Sequence, residues 1–236
     1  GSFMKLGQNS GQLEQINTCA PCHARVTEIS PTHIESGEIM DNYIPQIPDT
    51  ENFHADGQVD DEDYIYTSFL QSKMFSKGVK CSNCHNPHSA KLKHIGNQTC
   101  LQCHVSKKYN GPKHTFHPVG SQGASCINCH MPGKLFMGND LRHDHSFRVP
   151  RPDLSVKYGT PNACSNCHKD KSENELATAV IKWYGPKRKY HYAEDLIPGS
   201  KLDNKSEPHL VQLINTKTTP NIVKATAVFY LGSSIT

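Results

Sequence analysis

The sequence predicts a mainly α fold with much irregular structure, in which short helices and loops wrap around something other than side chains. The first sign is a shortage of apolar material. Hydrophobic residues make up 35% of the 236 positions. Counted with glycine and without tyrosine the fraction is about 38%, against the ~45–50% usual for a globular chain. A chain of this length normally buries a sizeable core, so another apolar body has to fill the interior. The second sign is an excess of ten Cys and 15 His beside a single Trp, Trp183. The third is punctuation by Pro- and Gly-containing connectors at 110–112, 118–123 and 131–133, which cut the chain into short pieces.

Composition also excludes functions. A net charge of +3 is too balanced for a nucleic-acid partner. No run of 18 apolar residues exists, so no transmembrane segment is expected. Residues 1–10 show no signal peptide and read as a mature end or a scar of expression.

All ten cysteines fall in pairs two residues apart: Cys19/Cys22, Cys81/Cys84, Cys100/Cys103, Cys126/Cys129 and Cys164/Cys167. A histidine follows each pair at once: His23, His85, His104, His130 and His168. C-x-x-C-H is the attachment pattern of c-type haem. Two thiols add to the two vinyl groups of one haem, and the adjacent imidazole ligates the iron from the proximal side. Zinc-ribbon spacing fits the middle pairs, and an even cysteine count fits disulfides. Neither needs His after every pair, a coincidence of about one in a million at this composition. Five motifs therefore mean five haem c groups, one per ~47 residues, and their faces supply the missing apolar interior.

Ten further histidines remain for the opposite faces: His33, His54, His88, His94, His114, His117, His143, His145, His191 and His209. Five bis-His sites need five of them, so no iron needs an open position. The Met alternatives are Met4, Met40, Met74, Met131 and Met137, and His/Met ligation would raise the potential. The His surplus favours bis-His ligation. His88, three residues after His85, is expected one helical turn along and on the same face, so it should ligate a neighbouring haem. His143 and His145 flank Asp144 and point to opposite faces of an extended segment, so one is expected to ligate. His114 and His117 pose the same choice. His191 and His209 lie in Lys-rich and polar contexts and read as solvated.

In order along the chain, residues 1–18 form a loose lead-in, 19–171 a pentahaem domain and 172–236 a helical tail. Residues 64–75 read as a helix leading to the second motif, with the acidic stretch 56–63 as a solvated turn that caps it. A Pro-rich strap, 146–163, precedes the fifth motif. Residues 172–184 read as an amphipathic helix with Ser172 and Glu175 as capping box and Gly185-Pro186 as stop. Two more helices, 210–214 and 222–231, flank a turn at Pro220.

Four segments carry a family resemblance: HADGQ (54–58), SFLQSKMFSKGVKCSNCHNPHS (68–89), FHPVGSQGASCINCHMP (116–132) and RHDHSFRVPRPDLSVKYGTPNACSNCHKDKS (142–172). They resemble multihaem cytochromes c of the c3/c554-like, doubled-CXXCH kind that continue into TPR or HEAT-like repeats. TPNIVKATAVFYLG (219–232) resembles a HEAT-type helix pair. The resemblance covers about residues 19–185. It implies electron transfer, with His54, His88, His117 and His145 as distal ligands and His33 or His114 as the fifth. Further upstream motifs, common in the group, are absent here. A single HEAT-like repeat does not stand alone, so the tail is expected either to belong to a longer array or to pack on the haem domain, with Trp183 in that contact.

The expected function is electron transfer along a haem relay, with other redox proteins or cytochromes as partners and self-association or a filament as a further arrangement. The alternative is a multihaem reductase or oxidase of a small nitrogen or sulfur species, which needs one open haem site. Haem c is attached outside the cytoplasm, so a periplasmic or extracellular location is expected. Mass spectrometry of the denatured protein should find a covalent mass increase of five haems; four or fewer, or zinc instead, contradicts this reading.

Overall fold

The computed structural model describes residues 11–30, 37–62 and 65–234. Helix α1 (Gln12–His23) runs into the first motif and is followed by a small hairpin, β1 (Val26–Glu28) with β2 (Tyr43–Pro45). Short helices come next: α2 (Ile65–Leu70), α3 (Lys73–Ser76), α4 (Cys81–Cys84), α5 (Gln98–Leu101), α6 (Ser106–Tyr109), α7 (Pro112–Thr115) and α8 (Cys126–His130). A second antiparallel hairpin, β3 (Gly133–Phe136) with β4 (Asp140–His143), has Gly133 opposite His143. Helix α9 (Pro152–Tyr158) leads to the fifth motif. Four helices close the chain: α10 (Glu173–Tyr184), α11 (Ala193–Gly199), α12 (Ser206–Asn215) and α13 (Asn221–Ser234). The architecture is mainly helical with irregular loops and two small hairpins, as the composition predicts.

Several local expectations are corrected. The lead-in is not loose from Gln12 onward. Gln12 Nε2 donates to the carbonyls of Phe75 and Val79, both at 2.8 Å, and Gln15 exchanges two hydrogen bonds of 2.9 Å with Ser82. These bonds tie α1 to the second motif. The helix expected over 64–75 breaks after Leu70, because the Ser72 hydroxyl accepts from Phe75 N and caps a new turn. The acidic stretch is not uniformly solvated: Asp56 is buried and accepts from Gln58 N and Nε2. Helix α11 and both hairpins carry no periodic apolar signal, so the sequence does not announce them.

Among the described residues no large core forms. Apolar side chains gather in three small clusters instead. Ala20, Ala24 and Ile39 make one beside the first motif; Leu154, Ala193 and Ile197 make another. The largest holds the tail together through Tyr192, Leu196, Leu210, Leu213, Val223, Ala227 and Tyr230. Helices α11 and α12 approach so closely that a Cβ on Gly199 would lie 2.5 Å from Leu210 Cδ2. The tail docks on the rest of the chain by polar bonds: Tyr230 Oη accepts from Thr50 N at 3.0 Å, and Tyr192 Oη donates to Gln71 Oε1 at 2.6 Å.

Arg148, in the strap, joins the parts. Its guanidinium donates to Tyr192 Oη at 2.8 Å and Gln71 Oε1 at 3.1 Å and stands 3.6 Å from the Asp56 carboxylate. Burial beside this group pushes the Tyr192 phenol well above its ordinary range, so it stays a neutral donor.

Two stability measurements follow. Arg148→Ala leaves Asp56 buried without its cation and should lower stability by about 3–5 kcal/mol, read from thermal unfolding by circular dichroism. Leu213→Ala, at a fully buried position, should cost about 2–5 kcal/mol, while Ile95→Ala, at a residue 93% exposed, should leave the transition where it is.

Candidate haem sites

Each motif is folded as a helical turn. His85 N donates to Cys81 O at 2.9 Å, His104 N to Cys100 O at 3.0 Å and His168 N to Cys164 O at 3.0 Å. One turn sets the two thiols of a pair on the same side as the following imidazole. Side-chain caps hold these turns. Asn162 Oδ1 accepts from Cys164 N and Ser165 N, and Asn97 Oδ1, from beside the third motif, accepts from Cys126 N of the fourth. None of the ten cysteines is joined in a disulfide. Among the described residues no three Cys, His, Asp or Glu side chains converge as a metal cluster.

Successive motifs lie close together. The Cys19 thiol hydrogen-bonds Cys81, which draws Cys19 down to about 7 and pushes Cys81 up. Burial raises Cys84, with Cys103 in electrostatic reach. Cys100 is pushed up to about 12 by burial and by its neighbour Cys126. Burial also raises Cys129, near Cys167, and Cys164 to about 11, near Cys129. The five motifs therefore follow one another in space in chain order.

Not every attachment cysteine lies inside. Predicted as the second thioether point of the first haem, Cys22 is exposed at the end of α1, whereas its pair partner Cys19 is half-buried against Cys81. The helix explains it: α1 packs inward through Ile16 and Ala20, and Cys22, two residues past Ala20, is turned about 200° away from that face. Cys103 and Cys167, the second cysteines of the third and fifth motifs, are exposed as well.

Three motif histidines face a second imidazole. His85 and His145 have ring centres 6.4 Å apart at 28°, His130 and His114 6.1 Å at 8°, and His168 and His117 5.9 Å at 38°. An imidazole nitrogen bonds a first-row metal at about 2 Å with the ring centre about 1 Å behind it, so two imidazoles on one iron hold their centres about 6 Å apart. The three observed separations, 5.9–6.4 Å, match that spacing. Hydrogen bonds at the far nitrogen fix several of these rings. His85 Nδ1 meets Ala90 O at 3.2 Å, His117 Nδ1 Thr115 O at 2.6 Å, His130 Nδ1 Arg148 O at 2.7 Å and His145 Nδ1 His143 O at 2.8 Å. A carbonyl on Nδ1 selects the tautomer with Nε2 free to ligate. Burial lowers the pKa of His114 and His145, which keeps both neutral, as ligation requires.

The other predicted residues are placed differently. His54 lies 3.1 Å from Asp60 and faces no motif imidazole. His88 is exposed in a turn, not on a helix, because the chain leaves α4 at His85 in extended conformation. Helical spacing therefore does not apply to His88. His33 lies outside the described residues. Among the described residues no imidazole faces His23 or His104; the ring beside His104 is Tyr109, edge-on at 5.6 Å. His143 has the Nδ1 anchor, on Met131 O at 2.7 Å, but no facing imidazole. It lines a cavity of about 340 Å³ with His54, Lys134 and Asn166. His191 is not solvated. It is half-buried, its Nδ1 accepts from Ala193 N, and burial with nearby Arg148 and Arg151 holds its pKa well below the usual value. His209 Nδ1 bonds Asp195 at 2.7 Å. Sequence reasoning could not choose between His114 and His117, because each faces a different motif.

Residues 113–195 match the family described as cytochrome c552, and residues 73–109 match the doubled CXXCH motif family. No curated protein matches the chain significantly. Among solved structures the chain is similar to the one titled outer cell wall cytochrome OcwA, at 17% identity and a TM-score of 0.51, over 92% of this chain and 60% of that one. The chain thus spans about three fifths of that protein's length. Five C-x-x-C-H turns, facing imidazoles and the two family matches together support a multihaem c-type cytochrome.

Proposed function

We propose that the protein carries electrons through five covalently bound haems arranged in the chain order of their motifs. The observation that carries this reading is the set of three imidazole pairs, each with a slot for one iron. His85/His145, His130/His114 and His168/His117 are the axial pairs of the second, fourth and fifth sites. His54, His88 and His33 are left to the first and third.

When bound, a haem c supplies an iron that cycles between ferric and ferrous states one electron at a time. The chain's own residues do the rest. Backbone carbonyls on Nδ1 make Nε2 more basic and hold the ring. Imidazole on both faces leaves no place for a substrate at those sites. Contact between successive motifs, Cys19 with Cys81 and Cys100 with Cys126, keeps neighbouring sites close enough for electron hopping. Covalent haem attachment supports a location outside the cytoplasmic membrane, with other redox proteins as donor and acceptor. No helix among the described residues is long and apolar enough to cross a membrane.

A second reading rests on His104, whose ring neighbour is a tyrosine and not an imidazole. An open iron there suits a reductase of a small nitrogen or sulfur species.

His145→Ala, His114→Ala and His117→Ala should each turn one haem, about a fifth of the total, to the high-spin ferric form in electron paramagnetic resonance. Unchanged spectra in all three overturn the assignment. Binding of CO or nitrite by one haem of the unmodified protein would favour the enzyme.

A further inference from the structure

The segment from His114 to His117 serves two sites at once, and the tail grips it. Phe116 lies between the two histidines in left-handed backbone, φ 55°, which a non-glycine residue adopts only under constraint. Its ring stacks flat on Trp183, with centres 4.6 Å apart at 1°. Trp183 also meets the His117 ring edge-on at 6.4 Å and 73°. Tyr184, the next residue, packs on Phe116 at 5.5 Å and on His114 at 6.3 Å, and its hydroxyl donates to the His114 carbonyl. On the other side His117 rests against Gly123, where an added Cβ would lie 2.2 Å from the His117 ring. That close approach admits glycine alone.

Helix α10 holds the other half of the same site. Its first residue, Glu173, accepts from Ser165 Oγ and Asn162 Nδ2 in the fifth motif. A helix of 12 residues thus spans from the turn that bears His168 to the ring that faces it.

We propose that Trp183, with Phe116 and Tyr184, is a positioning device of the haem-free tail that sets the orientation of His117 against His168 and holds His114 in its near-parallel pair with His130. This rests on the reading of His114 and His117 as distal ligands. The angle between two axial imidazoles governs the g-values of a low-spin ferric haem, and ligand hold governs its potential. Through this contact the tail tunes the last two sites.

The test uses the full-length haem-loaded protein, with electron paramagnetic resonance, a redox titration and CO binding to the reduced form. Trp183→Ala should shift the g-values and potential of the His117/His168 haem and raise its CO-accessible fraction up to about tenfold, the scale of one lost aromatic contact. Trp183→Phe should restore the original signals. Phe116→Gly, which keeps the left-handed backbone and removes the ring, should act like Trp183→Ala. Gly123→Ala should displace the same signal from the opposite side. His117→Ala separates ligation from positioning. If it turns one haem high-spin while Trp183→Ala and Phe116→Gly change nothing, the positioning role is wrong and the ligand reading stands. If His117→Ala changes nothing, the ligand reading falls and the proposal with it. If Trp183→Ala alters all five haems alike, the effect is general loss of structure, and the positioning role is overturned.

Discussion

Three pairs of imidazoles stand ring to ring across slots of 5.9–6.4 Å, and the rest of the chain is arranged to hold them there. Each slot needs two segments far apart in sequence to meet with sub-ångström tolerance. His85 and His145, for example, are sixty residues apart. Regular secondary structure would not help, because a helix or strand fixes only neighbours along the chain. The solution is a set of single helical turns whose relative positions are pinned by side-chain bonds to backbone: Asn97 on Cys126, Asn162 on Cys164, Gln12 on Phe75 and Val79. Irregular loops are the consequence of this constraint and not of weak folding.

The buried polar network performs the same task at larger scale. Arg148 offers its carbonyl to His130 and its guanidinium to Tyr192 and Gln71. One residue thus links a motif imidazole, the tail and helix-flanking chain around the second motif. A network of this kind adds little net stability over apolar packing of the same volume, but it admits one arrangement only. In a chain with three small clusters in place of one core, directional bonds carry the specificity that packing carries elsewhere.

Much of this is legible in the sequence, for physical reasons that can be named. The five C-x-x-C-H units are local, so their chemistry is visible without a fold. The capping box at Ser172 and Glu175 and the stop at Gly185 are likewise local, and α10 runs between them. What is not legible is which distant partner each motif meets, or which thiol faces inward, as Cys19 and Cys22 show. His88 looks favourable on helical spacing, but the chain turns extended at His85 and leaves it exposed. His54 looks favourable by resemblance, but it sits on Asp60. His114 and His117 look like competitors in sequence, although they face different motifs. His191 has Lys-rich neighbours that suggest solvent, yet α11, which carries no periodic signal, draws it inward.

The contact between thiols of different motifs bears on how such a chain is made. In the folded arrangement Cys19 hydrogen-bonds Cys81, with its pKa about 7, and Cys100 adjoins Cys126. A thiol that stands against a second thiol is open to oxidation to a disulfide, and each such bridge would join two motifs in place of their haems. A polypeptide that reached this shape before receiving its cofactors, in an oxidising compartment, would be exposed to crosslinks that no later step of attachment could use. The thioether bonds that capture the group also retire the thiols that compaction brings together.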